Sequence, residues 1–290
     1  MFKALFKTMR PRQWTKNVFI FAALVFDKQL FVIESFLRTL GGFALFCLIS
    51  SSVYIFNDLA DIEADRQHPE KKNRPIPSGK LPVSAAWIAG ILLVVIALSL
   101  GYLLSPAFAG VLSLYFLINL AYSKWLKHVP ILDVLIIASG FVLRVGAGVT
   151  LIHVERFSPW LYVVMTLLSL FLGFGKRRAE LALLAKGAGS HRKVLEGYTL
   201  PLLDQYIMIV SGTTIVAYSL YTFSADNVPK NHSMMLTIPF VVYTIFRYLY
   251  LVQVKQEGGA PEDVLLTDRP FQIAMGMWAV AVLLIFYLFS

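Results

Sequence analysis

A chain of 290 residues that is 58% hydrophobic and only 15% charged exceeds the apolar share of a soluble domain, and its mean hydropathy of +0.69 points to a bilayer as solvent. The net charge of +9 would suit nucleic acid in a soluble protein, but Lys- and Arg-rich cytosolic loops account for it here, so a membrane and no nucleic-acid partner is expected. The single cysteine, Cys47, excludes an intrachain disulfide and a cysteine-based metal site.

Nine apolar segments have the length, or nearly so, to cross a hydrocarbon core about 30 Å thick. They run over 15–33, 36–57, 83–104, 106–123, 131–152, 159–176, 201–223, 234–252 and 270–289. The first is the weakest, because Asp27 and Lys28 interrupt it. Backbone groups in lipid must be satisfied within the segment, so runs of this length predict helices rather than barrel strands. The expected fold is an all-α integral membrane bundle of nine transmembrane helices, forming a single domain over 1–290. The opening residues carry Lys3, Lys7, Arg10, Arg12 and Lys16 with no small-residue cleavage site after the apolar run, so no cleavable signal is expected.

With the N-terminus inside, twenty Lys and Arg fall on the cytosolic side. Four, Lys28, Arg38, Arg156 and Lys230, fall outside. That bias predicts a multi-pass protein of the cell inner (plasma) membrane with Ser290 outside. The connections over 58–82, 177–200 and 253–269 are long and charged, and all three are expected on the cytosolic side, where function tends to sit.

The end of the second span reads Asn57-Asp58-Leu-Ala-Asp61-Ile-Glu63-Ala-Asp65. At helical spacing Asn57, Asp58, Asp61 and Asp65 share an arc of about 100°, with Glu63 pointing elsewhere. Three carboxylates on one face beside a membrane require a cation, and oxygen-only donors at a helix end suit Mg²⁺ shared with substrate phosphates. Arg66, Lys71, Lys72, Arg74 and Lys80 follow at once, in a segment stiffened by Pro75, Pro77 and Pro82. Metal on one side and cations on the other would grip a diphosphate leaving group.

Asn-Asp-x-x-Asp-x-x-x-Asp followed by Arg74-Pro-Ile-Pro-Ser-Gly79 resembles the first signature of the UbiA superfamily of intramembrane prenyltransferases. That resemblance extends along the chain and implies a nine-helix bundle, a central cavity open laterally to lipid and Mg²⁺ at the cytosolic mouth. The chain departs from the pattern where members carry a second Asp-rich motif after the sixth span. It reads Gly173-Phe-Gly-Lys176-Arg177-Arg178-Ala-Glu180-Leu181 there. A Lys-Arg-Arg run binds phosphate directly, whereas paired carboxylates bind it through metal.

Three further stretches stand out: Arg10-Pro-Arg12-Gln-Trp14-Thr-Lys16-Asn17, Tyr122-Ser-Lys124-Trp-Leu-Lys127-His128 before Asp133, and Gly258-Gly259-Ala-Pro-Glu262-Asp263 through Asp268-Arg269-Pro270. Together they resemble a superfamily branch that moves phosphoribosyl onto decaprenyl phosphate. That resemblance implies phosphoribosyl pyrophosphate as donor and a polyprenyl phosphate as acceptor, and it leaves room for a homo-oligomer. Asp58, Asp61 and Asp65, with Asn57, are expected to hold Mg²⁺ on the diphosphate. Arg74 and Lys80 would assist it, and Lys16, Tyr122, Lys127, Lys176, Arg177 and Arg178 would contact substrate phosphates. Two rivals remain, an aromatic-ring prenyltransferase of the same superfamily and a transporter or lipid flippase. The first needs the missing acidic motif, and the second usually shows paired repeats and broken midplane helices. Arg144, inside the fifth span, is either a cavity-facing ion or a snorkelling one.

Overall fold

The computed structural model describes residues 1–68, 71–154, 158–185, 193–255, 264 and 267–288, and among these every regular element is helical. Arg156, Lys186, Arg192, the Gly258–Asp263 stretch and Ser290 lie outside the described residues. The helices are α1 (Phe2–Thr8), α2 (Ala22–Phe26), α3 (Ile33–Ala60), α4 (Ile62–Gln67), α5 (Val83–Leu104), α6 (Pro106–Lys124), α7 (Leu132–Val149), α8 (Pro159–Ala185), α9 (Leu200–Ser224), α10 (Ile238–Gln253) and α11 (Arg269–Leu288).

Eight helical segments among the described residues have the length and apolar composition to cross a membrane. The protein is therefore a multi-pass membrane protein. The span expected over 15–33 is not among the eight. Pro11 instead opens a 3₁₀ helix over Pro11–Phe21, α2 adds one short turn, and Lys28 turns the chain at φ 57°. A hydropathy window registers the apolar run but not this break in helical geometry.

The chain divides into two compact units. The first holds Met1–Val25, Gln29–Leu126 and Leu143–Val154. In it α3 is the central helix, packed on α5, α6 and the 3₁₀ segment. Phe46, Ile49, Phe108, Leu112 and Leu151 form the core, while Ile88, Leu92 and Val95 of α5 stay exposed, as suits a face toward lipid. Gly148 comes so close to the 3₁₀ segment that an added Cβ would lie 2.0 Å from the Ile20 carbonyl oxygen. Arg38 donates to the carbonyls of Leu104 and Leu151, at 2.9 and 3.0 Å, and so satisfies helix-end acceptors. Ser105 and Pro106 start α6 as cap and first residue, with the Ser105 hydroxyl accepting from the Phe108 amide.

The second unit holds Phe26–Lys28, Lys127–Val142 and Glu155–Ser290. Here α8 packs on α9, and α10 on α9 and α11. Phe171, Phe174, Leu203, Ile207 and Tyr248 make its core.

Candidate active site

In the first unit two of the acids, Asp58 and Asp65, come together through a shared arginine. Helix α3 ends at Ala60, and Asp61 breaks it at φ −101° and ψ 13° before α4 resumes. The bonds Asp61 N–H to Asn57 O (3.0 Å) and Asp65 N–H to Asp61 O (2.8 Å) carry the helical repeat across this break. Asp58 and Asp65, two turns apart, therefore stay on one side and are both buried, at 2% exposure each. Glu63 points away and pairs with Arg66 at 2.8 Å.

The Arg74-Pro-Ile-Pro-Ser-Gly motif is a compact turn. Pro75, Ile76 and Pro77 are buried, Ser78 N–H bonds to Arg74 O at 3.0 Å, and Gly79 takes φ 77°, a conformation that favours glycine. The turn delivers Arg74 between the acids. Its Nη1 lies 2.7 Å from Asp65 Oδ2 and 3.1 Å from Asp58 Oδ1. Lys71 Nζ approaches Asp65 Oδ1 at 3.7 Å. Arg10, left-handed at φ 53°, reaches Asp58 Oδ1 at 2.5 Å with its guanidinium stacked over Tyr54. Lys80 is exposed and, among the described residues, pairs with none of these acids.

Asn57 Oδ1 accepts from the Ser123 hydroxyl, which brings the end of α6 against the end of α3, and Tyr122, next to Ser123 in the chain, is half-buried. Lys16 is half-buried in the 3₁₀ segment. That segment is stitched to α3 through Trp14 Nε1 to Ser51 Oγ (3.0 Å) and Asn17 Nδ2 to Ser50 Oγ (3.3 Å). Arg144 is buried, not snorkelling. It donates to Asn17 Oδ1 at 2.8 Å and to the Tyr115 hydroxyl at 3.0 Å.

All donors from Asn57, Asp58, Asp61 and Asp65 are oxygens, the chemistry a hard divalent ion prefers. No group of three acidic side chains among the described residues has metal-binding geometry. Arg74, shared by Asp58 and Asp65, fills the role of cation between them. Only Asp58 and Asp65 come together here as oxygen donors, so an ion between them would take most of its remaining ligands from substrate oxygens.

In the second unit the Lys176-Arg177-Arg178 run splits, because consecutive helical residues face directions 100° apart. Lys176 is half-buried. Arg177 is 1% exposed and turned inward, with Nε 2.6 Å from Asp133 Oδ2 and Nη1 2.5 Å from Glu180 Oε2. Arg178 pairs with Asp204 at 2.5 Å and donates to Val252 O at 3.3 Å. Lys127, half-buried, lies in a 3₁₀ turn over Leu126–His128. The sequence singles out the run, but nothing local in it reveals that its middle member is an internal ion pair. Nor does it reveal that Arg10 and Ser123 join the acids, since those contacts span 48 and 66 residues.

These features define an intramembrane transferase of the prenyltransferase type, and the chain belongs to the UbiA prenyltransferase family, whose model matches residues 18–179. It is 33% identical to the decaprenyl-phosphate phosphoribosyltransferase of Corynebacterium glutamicum, over 98% of this chain and 87% of that one. It is 35% identical to the protein of that name from Mycolicibacterium smegmatis, over 94% and 89%, and 34% identical to that from Mycobacterium tuberculosis, over 95% and 92%. Its fold is similar to that of a UbiA homologue from Archaeoglobus fulgidus solved with DMAPP and Mg²⁺, at a TM-score of 0.73 and 17% identity over 98% of this chain and 99% of that one.

Proposed function

We propose that this chain transfers a 5-phosphoribosyl group from phosphoribosyl pyrophosphate to a polyprenyl phosphate of the decaprenyl type and releases diphosphate. The observation that carries this reading is its near full-length similarity, at 33–35% identity, to three proteins named for that activity. The chemistry of the two units supports it. The first unit offers oxygen donors and two arginines, as a diphosphate needs, and the second offers cations where a further acid motif would be expected. We take 1–290 as one functional domain in the inner membrane with its reaction on the cytosolic side, supported by the positive-inside bias. The product would serve cell-envelope arabinose donor synthesis.

Displacement occurs at the anomeric carbon of ribose. Bond breaking to the diphosphate gives that carbon oxocarbenium character, so stabilising the leaving group is the main catalytic task. When bound, Mg²⁺ neutralises charge on the leaving diphosphate. Asn57, Asp58, Asp61 and Asp65 would hold it. Arg74 and Arg10 exchange their carboxylate partners for diphosphate oxygens as the donor binds, and Lys80 adds charge at the mouth. Lys16, Tyr122, Lys127 and Lys176 contact the remaining phosphates. Arg178 holds the end of α8 against α9 and α10. The acceptor phosphate is already anionic near neutral pH, so no histidine or cysteine base is needed. Single-step attack inverts the anomeric centre and gives a β-linked lipid.

Purified protein with radiolabelled phosphoribosyl pyrophosphate, Mg²⁺ and decaprenyl phosphate tests this. Labelled lipid with equimolar diphosphate is expected. Labelling seen only with a prenyl diphosphate and an aromatic acid would point to the aromatic-ring reaction instead, and an α-linked lipid would contradict inversion.

A further inference from the structure

We propose that Asp133, Arg177 and Tyr198 are positioning residues, a buried clamp that fixes the backbone behind Lys127 and ties it to the helix turn bearing Lys176. The proposal rests on the phosphate-transfer reading above and assigns this network a role in substrate affinity.

The clamp joins three segments of the second unit that are remote in sequence. The Tyr198 hydroxyl accepts from the Ile131 amide at 2.6 Å and donates to Asp133 Oδ1 at 2.7 Å. The other carboxylate oxygen, Asp133 Oδ2, accepts from Arg177 Nε at 2.6 Å. All three side chains are buried, with exposures of 0% for Asp133, 1% for Arg177 and 5% for Tyr198. Gly197, next to Tyr198, packs so tightly that an added Cβ would lie 2.3 Å from Pro130 Cγ. Burial, with the Asp133 hydrogen bond, holds the Tyr198 hydroxyl well above the ordinary phenol pKa, so it remains a donor throughout the physiological range.

Two features argue that the clamp does more than hold the fold. Ile131 sits at φ 70°, a left-handed conformation that a β-branched residue adopts only when its surroundings impose it. A buried ion pair is a poor source of stability compared with apolar side chains of the same volume. Strain and buried charge meet four residues after Lys127 and one residue after Lys176, two of the cations assigned to phosphate. The arrangement sets where these ammonium groups stand, at the expense of stability.

The test uses the full chain in lipid nanodiscs and the variant Tyr198→Phe, which keeps the ring and removes both hydrogen bonds. Tyr218→Phe is the control. It removes an equally buried hydroxyl of the same unit, one that meets Thr237 at 2.6 Å and Trp278 at 2.7 Å. Hydrogen exchange of the 126–133 amides should rise in Tyr198→Phe. The KM for a phosphate-bearing substrate should rise about tenfold, with kcat within about twofold. Tyr218→Phe should lower thermal stability and shift neither KM. Unchanged exchange, or unchanged KM for both substrates despite raised exchange, overturns the proposal. If the wild-type chain transfers no phosphoribosyl group, the reaction is misread. The clamp is then judged with inorganic pyrophosphate: protection of the 126–133 amides by this probe, lost in Tyr198→Phe, supports it, and retained protection overturns it.

Discussion

Arg10 Nη2 lies 2.5 Å from Asp58 Oδ1, a contact that closes 48 residues of chain and brings the N-terminal segment into the acidic cluster. If Asp58 holds the metal proposed for the diphosphate, a guanidinium already beside it needs little reorganisation to stabilise the leaving group. Arg10→Ala is therefore expected to lower kcat/KM by about tenfold to a hundredfold. Arg10→Lys should recover only part of the loss, because an ammonium cannot both stack on Tyr54 and fork to two oxygens. Steady-state transfer kinetics measure both.

Arg74 acts as the internal counter-ion of Asp58 and Asp65. Arg74→Gln removes the cation the two carboxylates share and leaves only Arg10 at Asp58 and Lys71 near Asp65, so the pair attracts a divalent ion more strongly. Binding of Mn²⁺ without donor, followed by electron paramagnetic resonance, should tighten by about tenfold, equal to about 1.4 kcal/mol. Transfer should fall at the same time, because the diphosphate loses its guanidinium. Weaker Mn²⁺ binding in the variant would show that Arg74 supports the metal rather than competing with it.

Gly148 allows the close approach that seats the 3₁₀ segment carrying Lys16 and Asn17. An alanine there meets backbone, which cannot swing aside as a side chain can. Gly148→Ala is expected to destabilise the protein by about 1–3 kcal/mol, read by thermal unfolding in detergent. Gly212→Ala, where nothing lies within 4 Å of the added carbon, should leave the melting temperature unchanged or slightly higher.

Much of the first unit's site was legible because its determinants are local. The phase of Asp58 and Asp65 and the proline turn before Gly79 both follow from short-range rules, but those rules do not place Arg74 between the two acids, which is a tertiary result. Arg10 escaped because no periodicity connects residue 10 to residue 58. The break in the first apolar run escaped because hydropathy does not distinguish a 3₁₀ segment from a continuous α-helix. Arg177 shows a third limit. Three adjacent cations cannot share one helix face, yet only the tertiary position of Asp133 determines which of them turns inward.

Asp268 offers a pH-dependent check away from the reaction. Its carboxylate accepts from Arg247 Nη2 at 2.7 Å and caps α11 through the Phe271 amide at 2.9 Å. The Arg247 hydrogen bond comes first among the causes that hold its pKa below the usual carboxylate range. A depressed folded-state pKa gives stability that is present above the unfolded value of about 3.9 and lost as pH falls through the folded value. Asp268→Asn keeps the cap and loses the charge, so its melting temperature should lie about 2 °C below wild type from pH 8 to 5. The gap should close only below about pH 4. A gap that closes near pH 6 would assign the effect to another group.

Transfer of labelled phosphoribosyl to decaprenyl phosphate by the Asp58→Asn, Asp65→Asn double variant bears most directly on the chemistry assigned to this chain. Removing both carboxylates should reduce transfer by about a thousandfold or more, with the protein still folded by thermal unfolding. Chelator should abolish the wild-type rate. Full transfer by the double variant in the presence of chelator would contradict a metal-held diphosphate at the end of α3.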